Sequence, residues 1–304
     1  MISVMMLTYN REKYVRRAIE SIINQTYKDF EFIIIDNGSS DNSGKISDEY
    51  AQIDSRIRVI HRDRGTISAG RNTALDAARG DHLVFVDDDD WAEPDYLEFL
   101  LGLITENDAD MSICGSTGWN LESHSKTCIM TSEQAVMELL QRRKYNAAFP
   151  TKMFRKELWE ELRFPEEASV DDIALMYKIM ARADRVAYRG ASKYTFYKHE
   201  SNNSAWTADH SLLDAKTLDE YLGCYRTRTE WLSERFPNSA AAFRYFEWSF
   251  MISMVEKINR YDLRDCEKHL NYMISVLKEH REDFLNCPEI RDFEKEWLDK
   301  FIKV

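Results

Sequence analysis

The stretch DHLVFVDDDDWAEP, residues 81–94, joins an apolar run to four consecutive aspartates. The run at 81–87 predicts a strand, and a helical pattern follows it at 93–104 with Pro94 in the first turn. Adjacent carboxylates repel each other, and the chain already carries a formal net charge of -12. At this point two explanations stay open, a solvated acidic turn or a site for a divalent cation.

Apolar strand patterns alternate with helical patterns on both sides of this stretch. Strands that alternate with helices of this length imply right-handed βαβ units and a mostly parallel sheet. The strand patterns lack strict polar alternation, as expected when helices cover both faces of the sheet. We therefore predict an α/β fold. The expected strands lie at 2–7, within 31–41, and at 56–60, 81–87 and 109–115, and the expected helices at about 14–23, 41–51, 68–78 and 93–104.

The pattern becomes mostly helical after about residue 130. From about residue 209 it is helical to the end, which predicts an all-helical C-terminal region. We divide the chain into an α/β domain at 1–207 and a helical subdomain at 208–304. The later expected elements are helices near 131–143, 155–162 and 171–183, a strand at 185–188, and helix breaks near Pro237, Tyr261 and Pro288.

Composition excludes several classes of protein. The acidic balance argues against a dedicated nucleic-acid binder, which is usually basic. The chain has five cysteines, an odd number, and no two of them are at CxxC spacing. This favours free thiols in a reducing, cytoplasmic setting. The N-terminal apolar stretch is too short for a signal peptide, and no apolar run is long enough for a membrane span.

Polar side chains directly follow three of the predicted strands. They are Thr8 to Asn10, Asp36 and Asn37, and Asp87 to Asp90. In open α/β sheets, ligands bind beyond the carboxyl ends of the strands, so these groups are expected to converge on one edge. Carboxylate oxygens select hard cations such as Mg²⁺ or Mn²⁺, and such an ion compensates both the carboxylates and the phosphates of a nucleotide.

Two long segments together carry a resemblance to a known family. SVMMLTYNREKYVRRAIESIINQTYKDFEFIIIDNGSSDNS (3–43) and SAGRNTALDAARGDHLVFVDDDDW (68–91) resemble family 2 glycosyltransferases, which have the GT-A fold. The resemblance continues more loosely through SVDDIALMYKIM (169–180) and YKHESNNS (197–204). The resemblance implies that residues 1–207 form the nucleotide-sugar-binding and catalytic domain.

The resemblance implies an inverting, metal-dependent glycosyltransferase. A hexosyl or N-acetylhexosaminyl group would move from a nucleoside-diphosphate sugar, with UDP favoured, to a hydroxyl of a glycan or lipid-linked glycan. That reaction fits polysaccharide biosynthesis in the cytoplasm. It is also compatible with peripheral association of the protein with the inner face of the membrane.

The resemblance also implies which residues bind the donor. Leu7 stands where the family usually has proline, Asn37 where it often has a second aspartate, and Lys198 where it more often has arginine. Asp36 matches the carboxylate that reads the nucleotide base, and Arg71 an arginine associated with the nucleotide. The complete implied donor set is Leu7, Thr8, Tyr9, Asp36, Arg71, Asp87, Asp88 and Lys198.

Metal and catalytic residues are implied in the same way. Asp87 and Asp89 match the outer positions of the family's DxD motif and would bind Mn²⁺ or Mg²⁺, with His199 as a third ligand or phosphate contact. Asp172 matches the catalytic base at a helix start, although acids in a first turn are also favoured by the helix dipole alone. On the acceptor side we expect Lys152, which falls in a segment that resembles the family's acceptor side, Asp171 beside the matched base, and Trp119, whose ring can stack on a sugar.

Two other functions and one assembly remain open. A sugar-phosphate nucleotidyltransferase would carry a glycine-rich loop after the first strand, where this chain reads TYNREKYV. A degenerate sugar-nucleotide-binding module would need no complete set of site carboxylates. Leu218, Tyr221, Leu222 and Tyr225 recur at helical spacing, and this apolar surface predicts a possible homodimer through the C-terminal helices.

Overall fold

The computed structural model describes residues 1–117, 126–166, 170–199, 205–207 and 209–303. The chain divides into two compact units, Met1–Lys198 and His199–Val304. The boundary expected from the sequence, after residue 207, lies further along the chain and stays a prediction about where the catalytic domain ends. Within the described ranges, no helix has the length and apolar character needed to cross a membrane.

Nine strands in the described part of the first unit form one sheet. In chain order they are β1 (Ile2–Thr8), β2 (Phe30–Asp36), β3 (Ile57–His61), β4 (His82–Asp87), β5 (Trp91–Ala92), β6 (Met111–Thr117), β7 (Cys128–Met130), β8 (Lys152–Arg155) and β9 (Val186–Thr195). Their order across the sheet is β3-β2-β1-β4-β8-β6-β9-β5, and β7 pairs with β9.

The α/β fold with a helical C-terminal region is confirmed, but the sheet is mixed. β3, β2, β1 and β4 are parallel neighbours, whereas β8 lies antiparallel between β4 and β6. The helix expected at 155–162 is wrong, because β8 is followed by a single 3₁₀ turn at Lys156–Trp159. A four-residue strand is too short to show a period of its own, and the pairing partners that stabilise it come from distant parts of the chain.

The helices of the first unit cover the sheet through periodic apolar faces. Val15, Ala18, Ile19 and Ile22 recur at helical spacing on the first helix and are all buried in the same core as the sheet. Helix starts follow cap chemistry, since the Thr66 hydroxyl accepts from the Ala69 amide. The helices are α1 (Val15–Ile23), α2 (Ser43–Ile53), α3 (Ile67–Ala77), α4 (Tyr96–Asn107), α5 (Ser132–Gln141) and α6 (Asp171–Met180).

Strand register brings the carboxyl ends of the parallel strands together. Thr8 pairs with Asp36, and Leu7 pairs with Asp87. His61, the last residue of β3, pairs with Asp36. The polar residues that follow these strands therefore begin at one edge of the sheet, as the sequence predicted.

The second unit is helical, with the helix breaks where the sequence predicted them. α7 ends two residues before Pro237, and α8 ends at Tyr261. The Tyr225 and Phe250 rings stack at a centroid distance of 4.1 Å, which joins α7 to α8. The helices are α7 (Ala215–Arg235), α8 (Ala240–Tyr261), α9 (Glu267–Glu279), α10 (Arg281–Leu285) and α11 (Asp292–Phe301).

Most of the apolar side chains on which the dimer prediction was based are buried inside the second unit. Leu218 is fully buried, and Leu222 and Tyr225 are each 9% exposed. On the facing helix, Met254 and Ile258 are also buried. These side chains pack between helices of one chain, so the dimer stays a prediction without support from this surface.

Candidate active site

The acidic turn lies where β4 ends and meets the loop that follows β1. Asp87 is the last residue of β4, and the next three aspartates are mostly buried. The backbone amide of Tyr9 donates to Asp88 Oδ2 at 3.3 Å. Arg11 Nε lies 3.8 Å from carboxylate oxygens of both Asp88 and Asp89. The structure thus brings the first loop and the acidic turn together, and adds Arg11, which the sequence analysis missed.

The carboxyl groups of the turn lack sufficient positive charge. Burial and repulsion from Asp89 raise the pKa of Asp88 to about 7, against the opposing effect of Arg11. Burial raises the pKa of Asp87 to about 6, with Arg71 opposing and Asp89 reinforcing the shift. Burial and repulsion from Asp87 raise the pKa of Asp90 to about 9. A further cation at this turn would relieve the repulsion.

Arg71 connects the acidic turn to the start of α6. Its Nη1 donates to Asp171 Oδ2 at 2.6 Å, and its Nη2 to Asp87 Oδ1 at 3.3 Å. Although burial opposes the change, the two carboxylates raise the pKa of Arg71 above its ordinary value. The guanidinium also lies 5.5 Å from the ring centroid of Phe149. No sequence pattern indicated this bridge, because its two carboxylates lie far apart in the chain.

Asp171 and Asp172 occupy the first turn of α6 but have different partners. Asp171 is bound by Arg71, whereas Asp172 Oδ1 accepts from the Ile173 amide at 2.7 Å. Within the part of the chain that the structure describes, Asp172 makes no ion pair within 4 Å. Burial and repulsion from Asp171 raise the pKa of Asp172. A half-buried carboxylate with a raised pKa is suited to accept a proton.

The Asp36 carboxylate, at the end of β2, is held by two partners. Its Oδ1 accepts from the Ser39 amide at 3.0 Å, and its Oδ2 lies 2.9 Å from His61 Nδ1. The other ring nitrogen of His61 lies 3.0 Å from Asp48 Oδ1. Hydrogen bonds to Asp36 and Asp48 raise the pKa of His61. His61 was missed, although its place at the end of the neighbouring strand was a usable signal.

The remaining expected site residues are less directly connected to this edge. Lys152 is fully buried in β8, where its Nζ donates to the Ala148 carbonyl at 2.5 Å and to the Thr151 hydroxyl at 3.2 Å. This burial argues against direct contact with an acceptor, so that role stays a prediction without support. Lys198 ends the first unit and His199 begins the second. Trp119 lies outside the described residues.

The carboxylate oxygens of the acidic turn fit a cation only if a bound ligand completes the coordination shell. Among the described residues, no group of three or more histidine, cysteine, aspartate or glutamate side chains is arranged to hold a metal ion. The acidic turn offers the oxygens of Asp87 and Asp89. Mg²⁺ commonly takes one or two carboxylates and completes its shell with substrate phosphates and water. The turn therefore suits a cation that arrives with a diphosphate.

Comparison with known proteins gives a family and a fold. The family model described as "Glycosyl transferase family 2" matches residues 3–163, which is more than half of the chain. Glycosyltransferase GlyA of Streptococcus pneumoniae serotype 4 is 30% identical to the chain over 259 residues. That alignment covers 75% of this chain and 37% of GlyA, so the chain spans well under half the length of that relative.

Two solved structures share the fold. The crystal structure of S. aureus TarS 1–349 in complex with UDP-GlcNAc superposes with a TM-score of 0.73 at 21% identity, covering 93% of this chain and 81% of that one. The mannosyltransferase PcManGT from Pyrobaculum calidifontis, in complex with GDP-Man and Mn²⁺, gives a TM-score of 0.56 at 14% identity. That match covers 93% of this chain and 83% of the mannosyltransferase. At these identities the likeness concerns the fold.

Proposed function

Because the chain belongs to glycosyl transferase family 2, we propose that it transfers a sugar from a nucleoside-diphosphate sugar to an acceptor hydroxyl with inversion. The single observation that carries the proposal is the bridge by which Arg71 joins Asp87 of the acidic turn to Asp171, beside Asp172. The bridge supports the proposal because it keeps the acidic turn, where we propose that the diphosphate binds, close to the proposed base. The chain's fold is shared with TarS, which is described in complex with UDP-GlcNAc, and this favours a UDP-linked hexose or N-acetylhexosamine.

We propose that the donor lies along the carboxyl edge of the parallel strands. Asp36 would accept from the base, since His61 and the Ser39 amide already fix its orientation. Loop residues after β1 would line the nucleotide. The complete proposed donor set is Leu7, Thr8, Tyr9, Asp36, Arg71, Asp87, Asp88 and Lys198.

A divalent cation, Mn²⁺ or Mg²⁺, is proposed to bind with the donor. Asp87 and Asp89 would hold it, and His199 stays a proposed third ligand. The raised pKa values of Asp87 and Asp88 support the proposal, because they indicate a turn short of positive charge. When bound, such an ion neutralises the diphosphate and stabilises its departure.

Asp172 is proposed to accept the proton of the acceptor hydroxyl. As that proton moves to the carboxylate, the hydroxyl oxygen forms a bond to the anomeric carbon, and the bond from that carbon to the diphosphate oxygen breaks. Asp171 is already paired with Arg71, so Asp172 is the carboxylate better placed to act as a base. The acceptor is proposed to be a glycan or a lipid-linked glycan.

Calorimetry with nucleotides tests the proposal directly. We expect UDP, or UDP-GlcNAc, to bind in the presence of Mn²⁺ and to bind much more weakly after EDTA treatment or in Asp89→Asn. Asp29→Asn is a matched control, because Asp29 is 67% exposed just before β2, at the opposite edge of the sheet. Unchanged affinity after EDTA would remove the metal from the proposal.

The outcomes also separate the remaining alternatives. If neither UDP nor GDP nor their sugars bound, the donor-site proposal would be wrong. Tight binding without transfer to any glycan acceptor, and without hydrolysis, would identify a catalytically inactive sugar-nucleotide-binding module.

A further inference from the structure

Arg17, on α1, packs against two aromatic rings beside the acidic turn. Its guanidinium carbon lies 4.0 Å from the ring centroid of Trp91 and 4.4 Å from that of Tyr197. Its Nη2 donates to the backbone carbonyl of Asp89 at 2.8 Å. The Arg17 side chain therefore joins α1 to the acidic turn and to the segment that follows β9.

The segment after β9 is attached to the same turn by two further contacts. Trp91, the first residue of β5, pairs with Thr195 at the end of β9. The amide of Tyr197 donates to Asp90 Oδ1 at 2.7 Å. Lys198, the proposed phosphate contact, is the next residue in the chain. The contacts made by Tyr197 thus fix the backbone immediately before this lysine.

Arg17 does not contribute by pairing with a carboxylate. Across the ranges that the structure describes, it makes no ion pair within 4 Å, and its Nε is buried without a hydrogen-bond partner. Its contacts are the two aromatic rings and a carbonyl. A planar guanidinium can stack on rings and donate from its edge at the same time, whereas a lysine ammonium is a point charge without a flat face.

We infer that Arg17 is a positioning residue that holds the segment 195–198 against the acidic turn. The inference rests on the proposed function, in which this turn and Lys198 contact the donor diphosphate. Among the described residues Arg17 makes no ion pair with a carboxylate; it acts through the Asp89 carbonyl and the Tyr197 ring. Its loss is expected to loosen the residues just before Lys198, although the Tyr197–Asp90 hydrogen bond and the pairing of β5 with β9 remain.

Hydrogen exchange in the free protein tests the structural part. In Arg17→Lys the positive charge stays but the flat guanidinium that packs against the two rings is lost, so we expect the Tyr197 amide to exchange about tenfold faster, roughly the size of one lost net interaction. Arg16→Lys is the matched control, since Arg16 directly precedes Arg17 in α1 and its guanidinium carbon lies 5.4 Å from the ring centroid of Tyr50. Its exchange at Tyr197 should match that of the wild type.

A second pair of variants guards against misfolding. Tyr197 is 38% exposed, so Tyr197→Leu removes one ring of the stack with little change to the core. We expect Tyr197→Leu to accelerate amide exchange at residue 197, as Arg17→Lys does. Tyr197→Phe keeps the ring and should exchange at the wild-type rate. Wild-type exchange in both Arg17→Lys and Tyr197→Leu would overturn the inference.

Ligand binding tests the functional part. With Mn²⁺ present, Arg17→Lys should lower the affinity for UDP about tenfold but leave the affinity for uridine, which has no diphosphate, within about twofold. A general structural defect would weaken both ligands alike and would contradict the positioning role. A wild-type chain that binds no UDP contradicts the proposed function, whereas the exchange result still decides whether Arg17 holds the segment.

Discussion

Individual carboxylates at the candidate site differ in the partner that compensates their charge. Asp171 has Arg71 at 2.6 Å, and Asp36 has His61 at 2.9 Å. Among the described residues, Asp172 accepts a hydrogen bond from the amide of the adjacent Ile173, and its pKa is raised. A paired carboxylate is held in place, whereas one with a raised pKa is available to take up a proton. This contrast separates the two neighbouring acids at the start of α6.

The first residue-scale prediction concerns the base. Asp172→Asn keeps the shape of the side chain but cannot accept the proton. We expect it to lower turnover by about 10²- to 10⁴-fold, the usual contribution of general acid–base catalysis, while UDP affinity stays near that of the wild type. Steady-state kinetics and calorimetry measure the two effects.

Asp171→Asn is the matched comparison for that variant. It should weaken donor binding, because Arg71 loses the partner that fixes it beside Asp87. Wild-type turnover in Asp172→Asn combined with a large loss of turnover in Asp171→Asn would exchange the roles of the two residues.

A second residue-scale prediction concerns Lys152. Burial lowers its pKa to about 7, from an ordinary value of 10.5. Between these values the unfolded chain holds more protons at this site than the folded chain, so this lysine makes stability rise with pH. Lys152→Met removes that dependence. We expect the free energy of unfolding of the wild type, relative to Lys152→Met, to increase by on the order of a few kcal/mol from pH 7 to pH 9.

Urea unfolding of both proteins at the two pH values measures this difference. Lys156→Met is a suitable control, because Lys156 shows no such burial and bonds the Ala78 carbonyl near the surface. An identical stability difference at pH 7 and pH 9 would show that the Lys152 amine is not held neutral in the fold.

At the scale of single elements, the start of α2 is adapted to the end of β2. Gly44 is the second residue of α2, and a Cβ atom there would lie 2.4 Å from Asp36 Oδ2. The Asp36 carboxylate is fixed by Ser39 and His61, so it cannot move away without loss of those contacts. The helix can approach the strand end only with glycine at this position.

Gly44→Ala is therefore expected to be destabilising, although alanine is the better helix former by about 1 kcal/mol. It should also weaken UDP binding, because the shifted carboxylate is the proposed contact to the base. Gly102→Ala in α4 is the control, since a Cβ there meets only Glu106 Oε1, at 3.7 Å. Thermal unfolding should show a gain for Gly102→Ala and a loss for Gly44→Ala; gains in both would contradict the close approach.

Elements with strong local patterns were the predictable ones. The strands β1 to β4 and the helices between them lie within a few residues of their predicted ranges, because long apolar runs and helical spacing are properties of adjacent residues. β5, β7 and β8 were not predicted. Each has four residues or fewer and depends on pairing with strands from elsewhere in the chain.

At the scale of the whole molecule, the assembly state is the open prediction. Burial between α7 and α8 leaves other apolar side chains exposed in the second unit, including Leu212 at 58%, Tyr272 at 43% and Phe293 at 41%. If the predicted dimer forms through such groups, light scattering should give about twice the chain mass of 35.8 kDa. Tyr272→Arg and Phe293→Arg should then favour the monomer. A wild-type chain that stays monomeric at high micromolar concentration would show that the dimer prediction is wrong.

The sequence by itself determined the class of fold and the position of the acidic edge. Alternating strand and helix patterns, and polar residues directly after apolar runs such as 81–87, depend only on neighbours in the chain. Because parallel strands end at one edge, the sequence alone predicts that Thr8, Asp36 and Asp87 lie close together.

Only the tertiary structure decided how these groups are paired. Arg71 bridges Asp87 and Asp171, and Arg17 packs against Trp91 and Tyr197. Such contacts join residues that are far apart in the chain, and their formation depends on packing within a few ångströms. No local pattern encodes that distance, because ion pairs and ring stacks depend on where separate elements meet and not on the spacing of residues within one element.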